Sequence, residues 1–277
     1  MTWLLTSDLH VTDRPKDEYR WGLFEWLAKM QRRHVVDYTF ILGDLTDKKD
    51  NHPSALVNRV IDGLSQLKPP VYILMGNHDY IAHVRPFFKF LNCIEGLHFV
   101  AEPTFLRDLG LSMIPHMPDQ AHFDAACDQM PQNSALMCHA TITGASSETG
   151  MPLTGLSASP IRRFRRSAMW AGDVHRPQTL KCGLTYVGSP FRIRFGDDFT
   201  PRVLLVDEKT GKSTDLHFQC LQKHGLHIKK PEDILAVDLR RGDQVKIDIE
   251  LGREDLVGWA TIKARILSIC QERGVEV

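Results

Sequence analysis

Short apolar runs recur through the first hundred residues, and each stops abruptly at polar positions. WLLTS (3–7) ends at Asp8 and His10, YTFILG (38–43) at Asp44, and VYILMG (71–76) at Asn77 and His78. Between them the pattern switches to a helical period over residues 17–33 and 53–67, and a further helix is expected over 81–91. Strands alternating with helices predict parallel pairing and an α/β layer architecture. In such a sheet the loops at the carboxyl ends of the strands converge on one edge, where ligands bind.

The middle of the chain continues with strand candidates at 97–101, 111–115, 135–139, 167–172, 184–188 and 203–207. A segment rich in glycine and hydroxyls, ITGASSETGMPLTGLSASP (142–160), is too long for a tight connection and reads as a surface or active-site loop. After residue 208 the texture changes. A polar link (207–215) leads to the strictly alternating VKIDIEL (245–251) and then to a helical stretch over 254–273. This predicts a main domain over 1–210 and a small α+β domain over 211–277, with a soft boundary between 205 and 225.

Composition narrows the class. Lysine plus arginine equal aspartate plus glutamate at 34 each, so no global charge draws the chain to nucleic acid or to an anionic membrane. Any polyanion must be held by a local patch. The first residues carry no basic segment followed by a long apolar run, and a cytoplasmic location is the default expectation. Cys93, Cys127, Cys138, Cys182, Cys220 and Cys270 stand singly, as reduced thiols do.

The chemistry lies at the strand ends: Asp8 and His10; Asp44 and Asp47 in LGDLTDKK; Asn77, His78 and Asp79 in MGNHDY; His139 in MCHAT; Asp173 and His175 in AGDVHRP. Carboxylates, imidazoles and an amide on one edge suit divalent cations such as Mn²⁺, Fe²⁺ or Zn²⁺. The absence of thiolates argues against a structural zinc site. Gly43, Gly76 and Gly172 each precede a candidate ligand, where the chain must leave its strand sharply. Two cations at such an edge serve in-line phosphoryl displacement.

The ordered set DLH, GDLTD, GNHD, CHAT and GDVH resembles the calcineurin-like metallophosphoesterase superfamily over roughly residues 1–200. The resemblance implies a β-sandwich of two mixed sheets flanked by helices. It assigns Asp8, His10 and His175 to one metal and Asn77, His139 and Asp173 to the other, with Asp44 bridging. His78 would be catalytic, near the scissile phosphate, with Asp79 orienting it and Asp47 supporting the Asp44 loop. Where the family has Gly-His-x-His, this chain has Asp173. That oxygen ligand shifts preference toward Mn²⁺ or Mg²⁺, with Fe²⁺ also compatible.

Within the superfamily, GNHD and Lys48-Lys49-Asp50 depart from the protein Ser/Thr phosphatases. YVGSPFRIRFGD (186–197) and the C-terminal strand–helix unit resemble SbcD-type DNA exonuclease subunits and their small capping domain. This implies a Mn²⁺-dependent nuclease that works with an SbcC-like ATPase in DNA end processing, repair, recombination or replication. The partners are DNA and that ATPase; a homodimer is compatible and a membrane is not expected. Arg162, Arg163, Arg165, Arg166, Arg192 and Arg194 are the candidates for binding the DNA backbone. His52 and His116 are further candidates for substrate contact. Two alternatives remain: a small-molecule phosphodiesterase or phosphatase of the same superfamily, and a non-catalytic scaffold whose second metal site Asp173 has weakened.

Overall fold

The computed structural model describes residues 1–49, 52–81, 85–165, 168–252 and 257–277. The first half of the chain runs β1 (Thr2–Thr6), α1 (Gly22–His34), β2 (Tyr38–Ile41), α2 (Ser54–Leu64) and β3 (Val71–Leu74). A small hairpin, β4 (Tyr80–Ile81) and β5 (Arg85–Pro86), precedes β6 (Leu97–Val100), β7 (Thr104–Leu106) and β8 (Leu111–Ile114). Then come α3 (Gln120–Asp128), β9 (Ala135–His139), β10 (Met169–Gly172), β11 (Gln178–Thr179) and β12 (Thr185–Tyr186). The chain closes with β13 (Val203–Asp207), β14 (Ser213–Leu216), β15 (Lys223–Ile228), β16 (Gln244–Ile249) and α4 (Trp259–Arg273).

Two six-stranded mixed sheets form, ordered β14-β13-β1-β2-β3-β6 and β11-β12-β10-β9-β8-β7. β1, β2, β3 and β6 are parallel neighbours, as are β8, β9, β10 and β12, while β13, β14, β7 and β11 pair antiparallel. The sheets face one another across a core. Trp3, Leu5, Phe40 and Leu74 from the first meet Leu111, Met113, Met137 and Trp170 from the second. On the far face of the second sheet, Phe123, Ala126 and Cys127 of α3 pack on Ile114, Leu136, Cys138 and Ala171. α1 is tied to the first sheet by Gln31, whose amide donates to Thr39 Oγ1 (2.8 Å) and Lys68 O (3.0 Å). The fold is the calcineurin-like β-sandwich.

The chain divides into two compact units, Met1–Phe191 with Phe199–Phe218, and Arg192–Asp198 with Gln219–Val277. The division falls at 218 because the segment expected to be a polar link folds into β14, which adds to the edge of the first sheet. Residues 192–198 go with the second unit, where Lys223 Nζ donates to Ile193 O at 3.3 Å. That unit has its own core: parallel β15 and β16, α4 and a 3-10 turn at Pro231–Ala236, joined by Leu226, Ile228, Ile234, Val245, Ile266 and Ile269.

One expected element is replaced. The helix expected over 81–91 gives way to the β4–β5 hairpin and a 3-10 turn at Phe88–Cys93. Pro86 removes a backbone donor and disfavours helix in the residue before it, which breaks the apparent period.

Candidate metal centre

Every motif residue ends or follows a strand, and the loops that carry them stay paired beyond the strands. Asp8 N donates to Gly43 O (3.1 Å), His10 N to Asp44 O (2.9 Å) and Val11 N to Leu45 O (3.0 Å). Asp173 N donates to Asp8 Oδ1 at 3.1 Å and so joins the two sheets at this edge. The Asp-x-His spacing has a simple cause. Leu9 and Val174, between the polar pairs, are buried in the interior. Each anchors its loop between the two polar residues.

These turns carry backbone strain. Among the described residues, six non-glycine positions have positive φ, and four of them are Asp8 (54°), His10 (41°), Asp44 (54°) and Asp173 (84°). Such conformations persist only where their surroundings over-determine them, and they cluster at functional sites. Packing is equally tight: a Cβ on Gly76 would strike the Asp44 carboxylate and its backbone nitrogen, and one on Gly43 would strike the His139 ring.

The side chains form one group bridged by Asp44. His10 Nε2 lies 3.2 Å from His175 Nε2 and 3.5 Å from Asp44 Oδ2. On the other side, His139 Nε2 lies 3.5 Å from Asp44 Oδ1 and 3.7 Å from Asp173 Oδ1. Ligand atoms about 2.1 Å from a shared ion lie about 3.0–3.5 Å apart, so most of these spacings are what a cation would produce. In three groups the ligand-type atoms all lie within 4.8 Å of one another: Asp8, His10 and His175; Asp8, Asp44 and His139; and His10, Asp44 and His78.

Hydrogen bonding aims the donors inward. His139 Nδ1–H donates to Leu42 O at 2.7 Å, which leaves Nε2 a lone pair, and that atom has no hydrogen-bond partner. Asp8 Oδ2 and Asn77 Oδ1 are likewise buried without one. Buried polar atoms are ordinarily satisfied, so orphans of ligand type on one edge fit a cation. The acid–base balance agrees. Burial pushes the Asp8 carboxyl up to about 8, offset in part by His139 and reinforced by Asp44. Burial, then the charge of Asp79, raises Asp44, while burial drives His10 well below the usual imidazole range. Neutral imidazoles beside carboxylates that resist ionisation are a site lacking positive charge.

Around this ring lie residues that the motifs only partly announce. The expectation that Asp79 orients His78 is corrected: its buried carboxylate accepts from Gly76 N (2.7 Å), Asp44 N (3.0 Å) and Leu45 N (3.1 Å). Asp79 therefore ties the β2 and β3 loops together and is a positioning residue. His78 is oriented by Asp47, whose carbonyl accepts from Nδ1 at 2.7 Å, while His78 N donates to Asp44 Oδ1 at 2.9 Å. Burial lowers the half-buried His78 imidazole, whose ring stands edge-on to His10 at 4.8 Å. The Asp47 carboxylate sits 3.6 Å from His10 Nδ1 and accepts from Arg14 at 2.7 Å.

Two features carried no sequence signal. Arg20 and Asp17 form a fully buried pair at 3.1 Å, and Arg20 Nη1 donates to His10 O at 2.5 Å. Thr141 Oγ1 donates to Asp173 Oδ2 at 2.6 Å. The Arg20–His10 and Thr141–Asp173 bonds join residues that no local pattern links.

Arg162, Arg163 and Arg165 are not gathered here. Asn133 N donates to Arg163 O and Arg165 N to Ser134 O, which fixes 163–165 at the amino ends of β9 and β10. The metal-type residues occupy the carboxyl ends. Arg163 is paired with Asp128 at 2.6 Å, and Arg165 lies 3.8 Å from Glu208. Arg162 belongs to the same 3-10 turn, Pro160–Arg163. Arg166 lies outside the described residues. Arg192 and Arg194 are in the second unit, where Arg192 Nη1 lies 3.5 Å from His224 Nδ1. His52 bonds Thr46 Oγ1 at 2.8 Å and stacks on Phe87, as a packing residue does. His116 lies closer to the ring, edge-on to His139 at 6.2 Å and 3.0 Å from the Tyr80 hydroxyl.

The sequence profile of the calcineurin-like phosphoesterases matches residues 1–154, more than half of the chain. The chain belongs to this family. The phosphoesterase is also similar to the SbcD subunit of nuclease SbcCD from Escherichia coli strains K12 and O157:H7. Each is 24% identical over 291 aligned residues, spanning 86% of this chain and 72% of the relative. A solved archaeal phosphodiesterase matches at 12% identity with a TM-score of 0.43, over 79% of this chain and 100% of that one. The family activity, the nuclease relatives and the ring of ligand-type side chains make this chain a metal-dependent phosphoesterase. Among the described residues no helix is long and apolar enough to cross a membrane.

Proposed function

We propose that this phosphoesterase is a two-metal phosphodiesterase acting on DNA, the nuclease subunit of a complex with an SbcC-like ATPase. The observation that carries the metal reading is Asp44, whose two oxygens reach His10 and His139 on opposite sides at 3.5 Å each. Asp8, His10 and His175 would hold one cation, and Asn77, His139 and Asp173 the other. The oxygen of Asp173 favours Mn²⁺ over Zn²⁺. Divalent cations bound there supply an activated water and positive charge for the phosphate oxygens.

The protein's own part falls largely to His78. With Nδ1–H donated to Asp47 O, its Nε2 is the atom left to meet substrate. The negative charge of a bound phosphodiester raises the proton affinity of that imidazole, which then delivers a proton to the departing sugar oxygen. Asp79 holds the two loops in register during this transfer. The DNA reading rests on the nuclease relatives and on the segment after His175, not on the arginines at the far edge.

The test is Mn²⁺-supplemented turnover of linear double-stranded DNA, single-stranded DNA and a chromogenic phosphodiester. Degradation of DNA is expected. Efficient cleavage of the small ester with DNA left intact, even with the ATPase added, would replace this reading by a small-molecule phosphodiesterase.

A further inference from the structure

The long loop after β9 returns to the metal centre through one side chain. The Glu148 Oε1 oxygen lies 3.2 Å from His175 Nδ1, and its side chain is only 22% exposed. The loop around it is built rather than slack. Leu153 N donates to Ala145 O and Ser147 N to Met151 O, which folds 145–153 into a narrow turn with Glu148 near its tip. The Gln178 side chain pairs with Ser146 in both directions, accepting from its N–H and donating to its carbonyl, each at 2.8 Å. Arg176 Nη1 donates to Glu148 O at 3.2 Å. The residues just after His175 therefore grip the loop and press its carboxylate against that ring.

We propose that Glu148 is a positioning residue for His175. Its carboxylate is placed to accept a hydrogen bond from Nδ1–H, so that the Nε2 lone pair is presented toward His10. His175 Nε2 already faces His10 Nε2 at 3.2 Å, so the ring has one edge for the centre and one for the loop. The 3.2 Å approach does not yet have the angle of a hydrogen bond, and a modest turn of the carboxylate would form one. A histidine ligand fixed in this way by a carboxylate is the better electron donor, and losing such a partner costs about 10–100-fold in metal affinity. The inference rests on the metal-centre reading and adds that the loop at 142–160 is part of the centre.

The experiment compares wild type, Glu148→Gln, Glu148→Ala and, as a control at the loop tip, Thr149→Ala. Each metal-stripped protein is titrated with Mn²⁺ by calorimetry, and phosphodiester turnover is followed against Mn²⁺ concentration. In Glu148→Ala one of the two Mn²⁺ affinities is expected to fall about 10-fold or more. The loss is smaller in Glu148→Gln, which keeps an acceptor oxygen, and absent in Thr149→Ala. Turnover of Glu148→Ala returns toward wild type at saturating Mn²⁺. Isotherms of Glu148→Ala and wild type that superimpose, or equal weakening of both Mn²⁺ sites, overturn the proposal. A wild type that takes up no Mn²⁺ overturns the metal-centre reading itself, and this inference with it.

Discussion

His78 and Asp44 are neighbours in space with separable tasks, and removing each should give a different signature. His78→Ala is expected to keep Mn²⁺ binding while turnover falls about 10²–10⁴-fold, the usual range for a lost proton donor. Asp44→Ala should lose turnover and metal together, because both sides of the centre share its oxygens. Calorimetry beside kinetics separates the two, and equal metal loss in both would make His78 a ligand. Residue-scale electrostatics give a second expectation, for protein stripped of metal. Asp8 titrates at about 8 in the fold, far above a free carboxyl, so its folded form holds a proton that the unfolded chain has released. Stability must then fall as pH rises toward 8. His10, held well below the usual imidazole value, has the opposite sign and lowers stability below about pH 6.5. Thermal melts in chelator should therefore be roughly level below about pH 6.5, where the two slopes oppose, and decline from there to about pH 8. Saturating Mn²⁺ should abolish that alkaline decline.

At the scale of elements, the strand ends were legible because each candidate ligand directly follows an apolar run and a sharp turn. The paired loops that follow were not, since the bonds between the loops after β1 and β2 link residues 34 or 35 positions apart. β14 was hidden because its four residues, STDL, are exposed or half-exposed at a sheet edge and carry no apolar alternation. The roles of Asp79 and Asp47 were read from a motif that specifies residue types but not which atom meets which. The 3-10 turn Pro15–Trp21 is the clearest unannounced support, since it delivers the buried Arg20–Asp17 pair to the His10 carbonyl. Arg20→Met removes the buried cation paired with Asp17 and should destabilise the fold by about 3 kcal/mol. Urea denaturation measures that loss, and Mn²⁺ titration should show a weakened site through the displaced His10 loop.

At the scale of the molecule, opposite ends of one sheet carry different chemistry. The carboxyl ends of β9 and β10 hold His139 and Asp173, and the amino ends hold Arg163 and Arg165. At about 3.3 Å per residue, β9 alone separates them by roughly 16 Å. That distance explains why a basic run adjacent to a ligand motif in the sequence is remote from it in space. The double variant Arg162→Ala/Arg165→Ala is accordingly expected to cleave DNA within about twofold of wild type. A large loss, with a flatter salt dependence, would mean that the duplex reaches the far edge.

The positive φ angles at Asp8, His10, Asp44 and Asp173 carry an energetic consequence. Each position is one where glycine would rest more comfortably, by about 1 kcal/mol or more. Asp8→Gly relieves that strain but gives up the bond from Asp173 N, so its melting temperature in metal-free buffer is expected to stay within about 2 °C of wild type, although it is inactive. The bonds that the Asp8, Asp44 and Asp173 carboxylates accept offset that strain. The strained turns and the bonds they make therefore form one cooperative unit, in which no single ligand position can be relaxed without loosening its neighbours.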